Sequence, residues 1–165
     1  MGSKIKFHRA FGVYGLYFEG EKLLVINKNG GPYKKRFDLP GGSLEDSESL
    51  STALKREYFE ETGLEVEIVK NLGIVDFMLS TNWRDSTLVH HICGICGYYL
   101  VKKNGGQLII PEQFSGHDSL GALWVSESDV TVDNSSPLVL KAFEWLNKGE
   151  LGLETQVYES WEAKR

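Results

Sequence analysis

Apolar and polar positions divide the chain into strands, one strongly patterned helix, further strands and a second helix. Phe11, Val13, Gly15 and Tyr17 fall on alternate positions, as do Leu23, Val25 and Asn27. Glu19-Gly20-Glu21-Lys22 between the runs has turn composition, so residues 9–27 are expected to be two strands joined by a tight turn. Residues 28–32 read as a loop. Residues 49–62 form the best helix pattern, with Gly63 as its stop. Residues 65–69, 73–79 and 88–102 follow as strands. Asn104-Gly105-Gly106 carries a strong turn signal, with residues 107–110 expected to return as a strand. Leu123-Trp124-Val125 reads as a short strand. Ser135-Ser136-Pro137 marks the start of a helix running to about 147, with Gly149 beyond it. The tail, 150–165, has no readable pattern. The succession predicts one α/β domain over 1–165 with a mixed β-sheet.

The first helix carries acids where apolar residues belong. On a wheel of about 100° per residue with Glu57 at zero, Leu50 falls near 20°, Leu54 near 60°, Tyr58 near 100° and Ala53 near −40°. Glu61 falls near 40° and Glu60 near −60°, so three carboxylates share the arc expected to pack inward. Glu57 and Glu61 stand four apart and repel, and no lysine compensates. Carboxylates on a half-buried face need partners or a metal. A hard divalent cation taking oxygen ligands turns such a repelling set into a site. Gly41 and Gly42, just before the helix, let backbone approach a ligand closely.

Composition narrows the picture. The chain has 165 residues, 41% hydrophobic and 25% charged, with a formal net charge of −5. Those values suit a globular domain, and the acidic balance argues against DNA binding through phosphate contacts. There is no apolar run long enough for a transmembrane helix and no secretory pattern at the N-terminus, so a cytoplasmic protein without membrane association is expected. Cys93 and Cys96 are the only cysteines and make no disulfide framework. His90-His91-Ile92-Cys93-Gly94-Ile95-Cys96 is expected to lie on a strand. Alternation sends its candidate ligands to opposite faces, which makes them packing residues rather than a zinc site.

The stretch from Gly42 to Leu64 resembles the box of the Nudix hydrolase family, of the MutT-like kind. Gly42, Glu48 and Arg56-Glu57-Tyr58-Phe59-Glu60-Glu61-Thr62-Gly63-Leu64 match it without a gap. Tyr58 stands where an aliphatic residue is usual, a difference that concerns packing. The resemblance implies an α/β/α sandwich. It also implies a Mg²⁺-dependent pyrophosphatase, with Mn²⁺ as a substitute, acting on a nucleoside diphosphate linked to another moiety by water attack on phosphorus. Glu57, Glu60 and Glu61 would hold the metal, and Gly42 would offer its carbonyl. Arg56 would orient a carboxylate, with Glu60 as the expected partner, and Glu48 would support. The general base is either a box glutamate or an acid on a distant loop, with Asp118 the candidate and Glu112 its rival.

Lys34, Lys35 and Arg36, the densest basic run, are candidates for substrate phosphates. Tyr14, Tyr33, Phe77, Trp83 and Phe114 are candidates for stacking on a base, with core packing the default. The proline and tyrosine that mark ADP-ribose and dinucleoside-polyphosphate hydrolases beyond the box are missing around Leu79-Ser80-Thr81-Asn82, so no substrate is named. Two other readings stand beside the enzyme: a non-catalytic nucleotide- or protein-binding module, against which the intact acids count, and an RNA-end pyrophosphohydrolase, against which the net charge counts. The partner expected is a small nucleotide-type molecule, and a homodimer is compatible with the reading.

Overall fold

The computed structural model describes residues 4–82, 88–109 and 119–165. The elements, in chain order, are β1 (Lys4–Leu16), β2 (Phe18–Glu19), β3 (Lys22–Lys28), β4 (Phe37–Asp38) and β5 (Gly41–Gly42). Then come α1 (Leu50–Thr62), β6 (Leu64–Thr81), β7 (Leu88–Gly106), β8 (Ser119–Val125), α2 (Pro137–Lys148) and β9 (Gln156–Tyr158). One sheet has the order β5-β1-β7-β6-β9 and is mixed, with β1 parallel to β7 and β6 antiparallel to it. In the second sheet β3 pairs with β2, β4 and β8. The expected α/β fold with a mixed sheet is thus present. No helix among the described residues is long and apolar enough to cross a membrane.

The expected hairpin over residues 9–27 is divided between two sheets. The chain leaves the first sheet after Leu16, and only Phe18–Glu19 turns back onto β3. Strand β3 lies between two layers, so Leu23, Leu24, Val25 and Ile26 are all fully buried. Such a strand shows a continuous apolar run rather than alternation. Leu23 and Val25 join the core beneath α2, with Leu138, Ala142 and Phe143, while Leu24 joins the core beneath α1, with Ala53, Leu54 and Tyr58.

Two expectations from the sequence fail, each for a physical reason. Residues 65–69 and 73–79 belong to one strand, because register shifts between Ile68 and Lys70 and between Asn71 and Gly73 break the alternation without ending the pairing. Asn104-Gly105-Gly106 is no turn: β7 continues through Gly106, which pairs with Leu64. A Cβ on Gly106 would meet the Gly63 carbonyl oxygen at 2.2 Å, so close backbone approach explains this glycine. Gln107 to Ile109 form no strand, and the Ile109 amide donates instead to the Thr62 carbonyl at the end of α1.

Both helices begin and end where the sequence says. The Ser49 hydroxyl accepts from the Thr52 amide, and Gly63 takes the left-handed conformation at φ 80°. Ser136 precedes Pro137, and Gly149 closes α2 at φ 74°. Tyr58 is fully buried where the Gly15 backbone makes room; a Cβ there would come within 2.7 Å of its ring. The tail is ordered onto the first sheet through β9, and Trp161 is buried.

Candidate active site

The site begins with the backbone. Gly41 and Gly42 pair with Tyr14 and Val13, and the Gly15 amide donates to the Pro40 carbonyl. This pins the turn against β1. Gly41 has φ 145°, and a Cβ on it would run into the Val13 carbonyl at 2.1 Å. A Cβ on Gly42 would lie 2.9 Å from the Glu57 carboxyl carbon, so only glycine leaves that carboxylate beside the backbone.

Helix α1 delivers the acids. Its buried residues are Ala53, Leu54, Tyr58, Glu61 and Thr62. Leu50, expected on the inward face, is 42% exposed, at the first position after the cap. Glu61 is 4% exposed, the Glu57 side chain 18% and that of Glu60 51%, so the three acids form a gradient from core to solvent. Burial raises the Glu57 carboxyl above its ordinary pKa, against the lowering effect of Arg56.

Arg56 organises the cluster. The sequence reading pairs it with Glu60, but its main partner is Glu48. Nε and Nη2 grip both Glu48 carboxylate oxygens, the latter at 2.9 Å. Nη1 reaches Glu57 at 2.8 Å and Glu60 only at 3.3 Å, while Nη2 also donates to the Ser43 carbonyl at 3.2 Å. Such a two-pronged grip suits the planar guanidinium. Glu48 further accepts from the Glu45 amide, and together these bonds hold its pKa below the ordinary carboxylate value.

These groups line a cavity of about 400 Å³ with Tyr14, Lys28, Gly42, Glu45, Glu57, Glu60 and Glu61 in its wall. Among the described residues no three acidic, histidine or cysteine side chains are drawn together as a ready metal cage. Arg56 occupies Glu57 and Glu60, as carboxylates in a repelling set require. The donors are oxygens alone, and the missing Cβ of Gly42 leaves space beside Glu57, so the residues suit a hard divalent cation.

A second cavity, about 180 Å³, adjoins the first and shares Tyr14 and Lys28 with it. Tyr33, Phe77 and Cys96 line its sides, and Gly31 and Pro32 one rim. Phe77 lies over Gly94, where a Cβ would come within 2.5 Å of the ring. Asp38 is buried, accepts from the Ser136 hydroxyl at 2.6 Å, and lies 3.9 Å from the Lys28 ammonium.

Lys34 and Lys35 line neither cavity. Arg36 is a correction: it is 3% exposed and turns toward the tail, its guanidinium 4.3 Å from the Trp161 ring centre and donating to the Glu162 carbonyl at 2.8 Å. Asp118, Glu112, Trp83 and Phe114 lie outside the described residues. His91 stacks on Phe7 and bonds Ser80, while His90 and Cys96 are buried on the other face of the strand. Sequence reasoning missed Lys28 and Glu45. No local signal marks Lys28, whose place beside both cavities comes from the second sheet lying over the first.

A family model described as the NUDIX domain matches residues 6–147. The chain belongs to the NUDIX family. It is 37% identical over 71 residues, 43% of its length, to an ADP-ribose pyrophosphatase of Methanocaldococcus jannaschii. That alignment spans 42% of the relative, less than half of it. The NUDIX fold here also resembles solved structures. One is a NUDIX hydrolase from Nitrosomonas europaea, with TM-score 0.58 and 19% identity over 86% of this chain and 90% of that one. Another is a MutT NUDIX hydrolase from Burkholderia pseudomallei, with TM-score 0.58 and 18% identity over 83% and 97%. At these identities the structural likeness is one of fold.

Proposed function

We propose that this NUDIX protein hydrolyses the diphosphate linkage of a nucleoside diphosphate joined to another moiety, with Mg²⁺ held by Glu57, Glu60, Glu61 and the Gly42 carbonyl. The observation that supports it is the single cavity in which Glu45, Glu57, Glu60 and Glu61 meet the Gly41-Gly42 backbone. The cation, when bound, offsets the charge of the diphosphate and makes water a stronger nucleophile at neutral pH. The chain's own groups orient that chemistry. Arg56, fixed by Glu48, holds Glu57 and Glu60 in place. Lys28 and Tyr14, common to both cavities, border the path of the diphosphate, and the aromatic cavity receives the remainder of the substrate. The proton of the attacking water goes to a box glutamate or to a loop acid, Asp118 or its rival Glu112.

The name of the archaeal relative makes a nucleoside diphosphate sugar such as ADP-ribose the first compound to try. A panel of nucleoside diphosphate derivatives is assayed with Mg²⁺ for phosphate-ester products. Glu57→Gln and Glu60→Gln should each lower kcat/KM by about a hundredfold or more, a loss of at least about 2.7 kcal/mol of transition-state stabilisation. No turnover of any compound would reject the enzyme. Turnover untouched by both substitutions would reject the metal assignment. Asp118→Asn and Glu112→Gln separate the bases: a large fall in kcat in one of them selects that acid, an unchanged kcat in both a box glutamate.

A further inference from the structure

The tail beyond residue 149 lies outside the stretch that the NUDIX model matches, yet it packs behind two residues, Pro32 and Tyr33, that line the aromatic cavity. The Trp161 indole N–H donates to the Pro32 carbonyl at 2.9 Å, and its ring meets Tyr33 edge-on at 5.9 Å between centres. Pro32 and Tyr33 both line that cavity. The Tyr33 ring in turn meets Phe77, another lining residue, edge-on at 6.2 Å. Trp161 is itself held from three directions. Its amide donates to the Ser80 carbonyl of β6, Tyr158 of β9 packs edge-on against it, and Arg36 lies over its face. The segment it supports is one short turn, Gly31 to Tyr33, followed by Lys35 at φ 61°. That turn closes on itself through the Lys34 and Arg36 amides, and Trp161 ties it to the tail and to β6.

We infer that the C-terminal strap braces the substrate site from behind: Trp161 is a positioning residue that sets Pro32 and Tyr33 against the non-phosphate part of the substrate. It does not line the carboxylate cavity, so it acts on substrate fit and not on the metal or the attacking water. The substrate role rests on the hydrolase reading above; the support of the turn does not.

Two measurements on the full-length chain test it. The first needs no turnover: amide hydrogen exchange at Lys34, Lys35 and Arg36, whose N–H groups bond within the turn to Gly31, Lys28 and Tyr33. Trp161→Ala should speed their exchange about tenfold or more, while the amides of α1 stay within twofold. Exchange unchanged at all three would overturn the strap, whether or not the protein proves to be a hydrolase. The second is kinetic. Trp161→Phe keeps a ring beside Tyr33 and Arg36 but loses the bond to Pro32. It should raise KM for a nucleoside diphosphate sugar about three- to tenfold with kcat within twofold, and Trp161→Ala should raise it further. A KM unchanged in a folded Trp161→Ala variant, or a loss confined to kcat, would overturn the substrate role. If the wild-type protein turns over nothing, Kd for the same compound replaces KM. A Kd unaffected by either variant, or no binding by the wild type, would then overturn the substrate role as well.

Discussion

Arg56 shows how one residue can decide the geometry of several. It grips Glu48, reaches Glu57 and Glu60, and bonds the Ser43 carbonyl, tying the glycine turn to the helix. Its pairing with Glu48 depresses the Glu48 carboxyl pKa, chiefly through the side-chain hydrogen bonds. The folded value lies below the unfolded one. The pairing therefore contributes stability above the unfolded pKa, and that contribution is lost as pH falls through the folded pKa. Glu48→Gln should be less stable than wild type at neutral pH, with the two urea midpoints converging in acid. It should also lose about tenfold in kcat/KM, because the guanidinium is freed to pull Glu57 out of place. Parallel midpoints across the whole acid range would refute the linkage. Gly42 belongs to the same scale, since its missing Cβ is what admits the Glu57 carboxylate.

At the scale of the element, α1 is held at both ends by local chemistry. Ser49→Ala should destabilise the protein by about 1 kcal/mol, and Ser49→Gly by a few tenths, since glycine also serves as a cap. Gly63→Ala should cost more, about 2 kcal/mol, because φ 80° is strained for alanine and its Cβ would meet the Gln107 carbonyl at 2.2 Å. Denaturant titration of the three variants tests the ranking, and a Gly63→Ala variant as stable as wild type would disprove it. The limits of α1 were legible in the residues because caps act within a few positions. So was the placing of Glu57, Glu60 and Glu61 near its buried side. The strands were read less well. Bulges hid the unity of β6, close backbone approach at Gly106 imitated a turn, and burial on both faces removed the alternation expected of β3.

At the scale of the whole molecule, two sheets close over each other, each helix covers one core, and the carboxylate cavity opens beside the aromatic one. A cation that binds only the folded cluster stabilises the whole molecule by mass action. Adding Mg²⁺ at about a hundred times its Kd to chelator-treated protein should contribute about 2.7 kcal/mol. For a chain of this size that raises Tm by about 5–10 °C. The Glu57→Gln, Glu60→Gln double variant should show little of the shift. An equal shift in wild type and double variant would place the cation elsewhere.

The sequence by itself determined the elements whose signals are local: two capped helices, the glycine turn, and a set of acids at helical spacing, on which the proposed cation site rests. It also carried the family, because the box residues are contiguous along the chain. Only the tertiary structure decided what joins them. Asp38 meets Ser136, Arg36 lies against the Trp161 ring and lines neither cavity, and Trp161 holds Pro32. Lys28 borders both cavities through the stacking of one sheet on the other. These contacts span roughly a hundred residues of chain, where the periodicity of neighbouring side chains holds no information about which surfaces will meet.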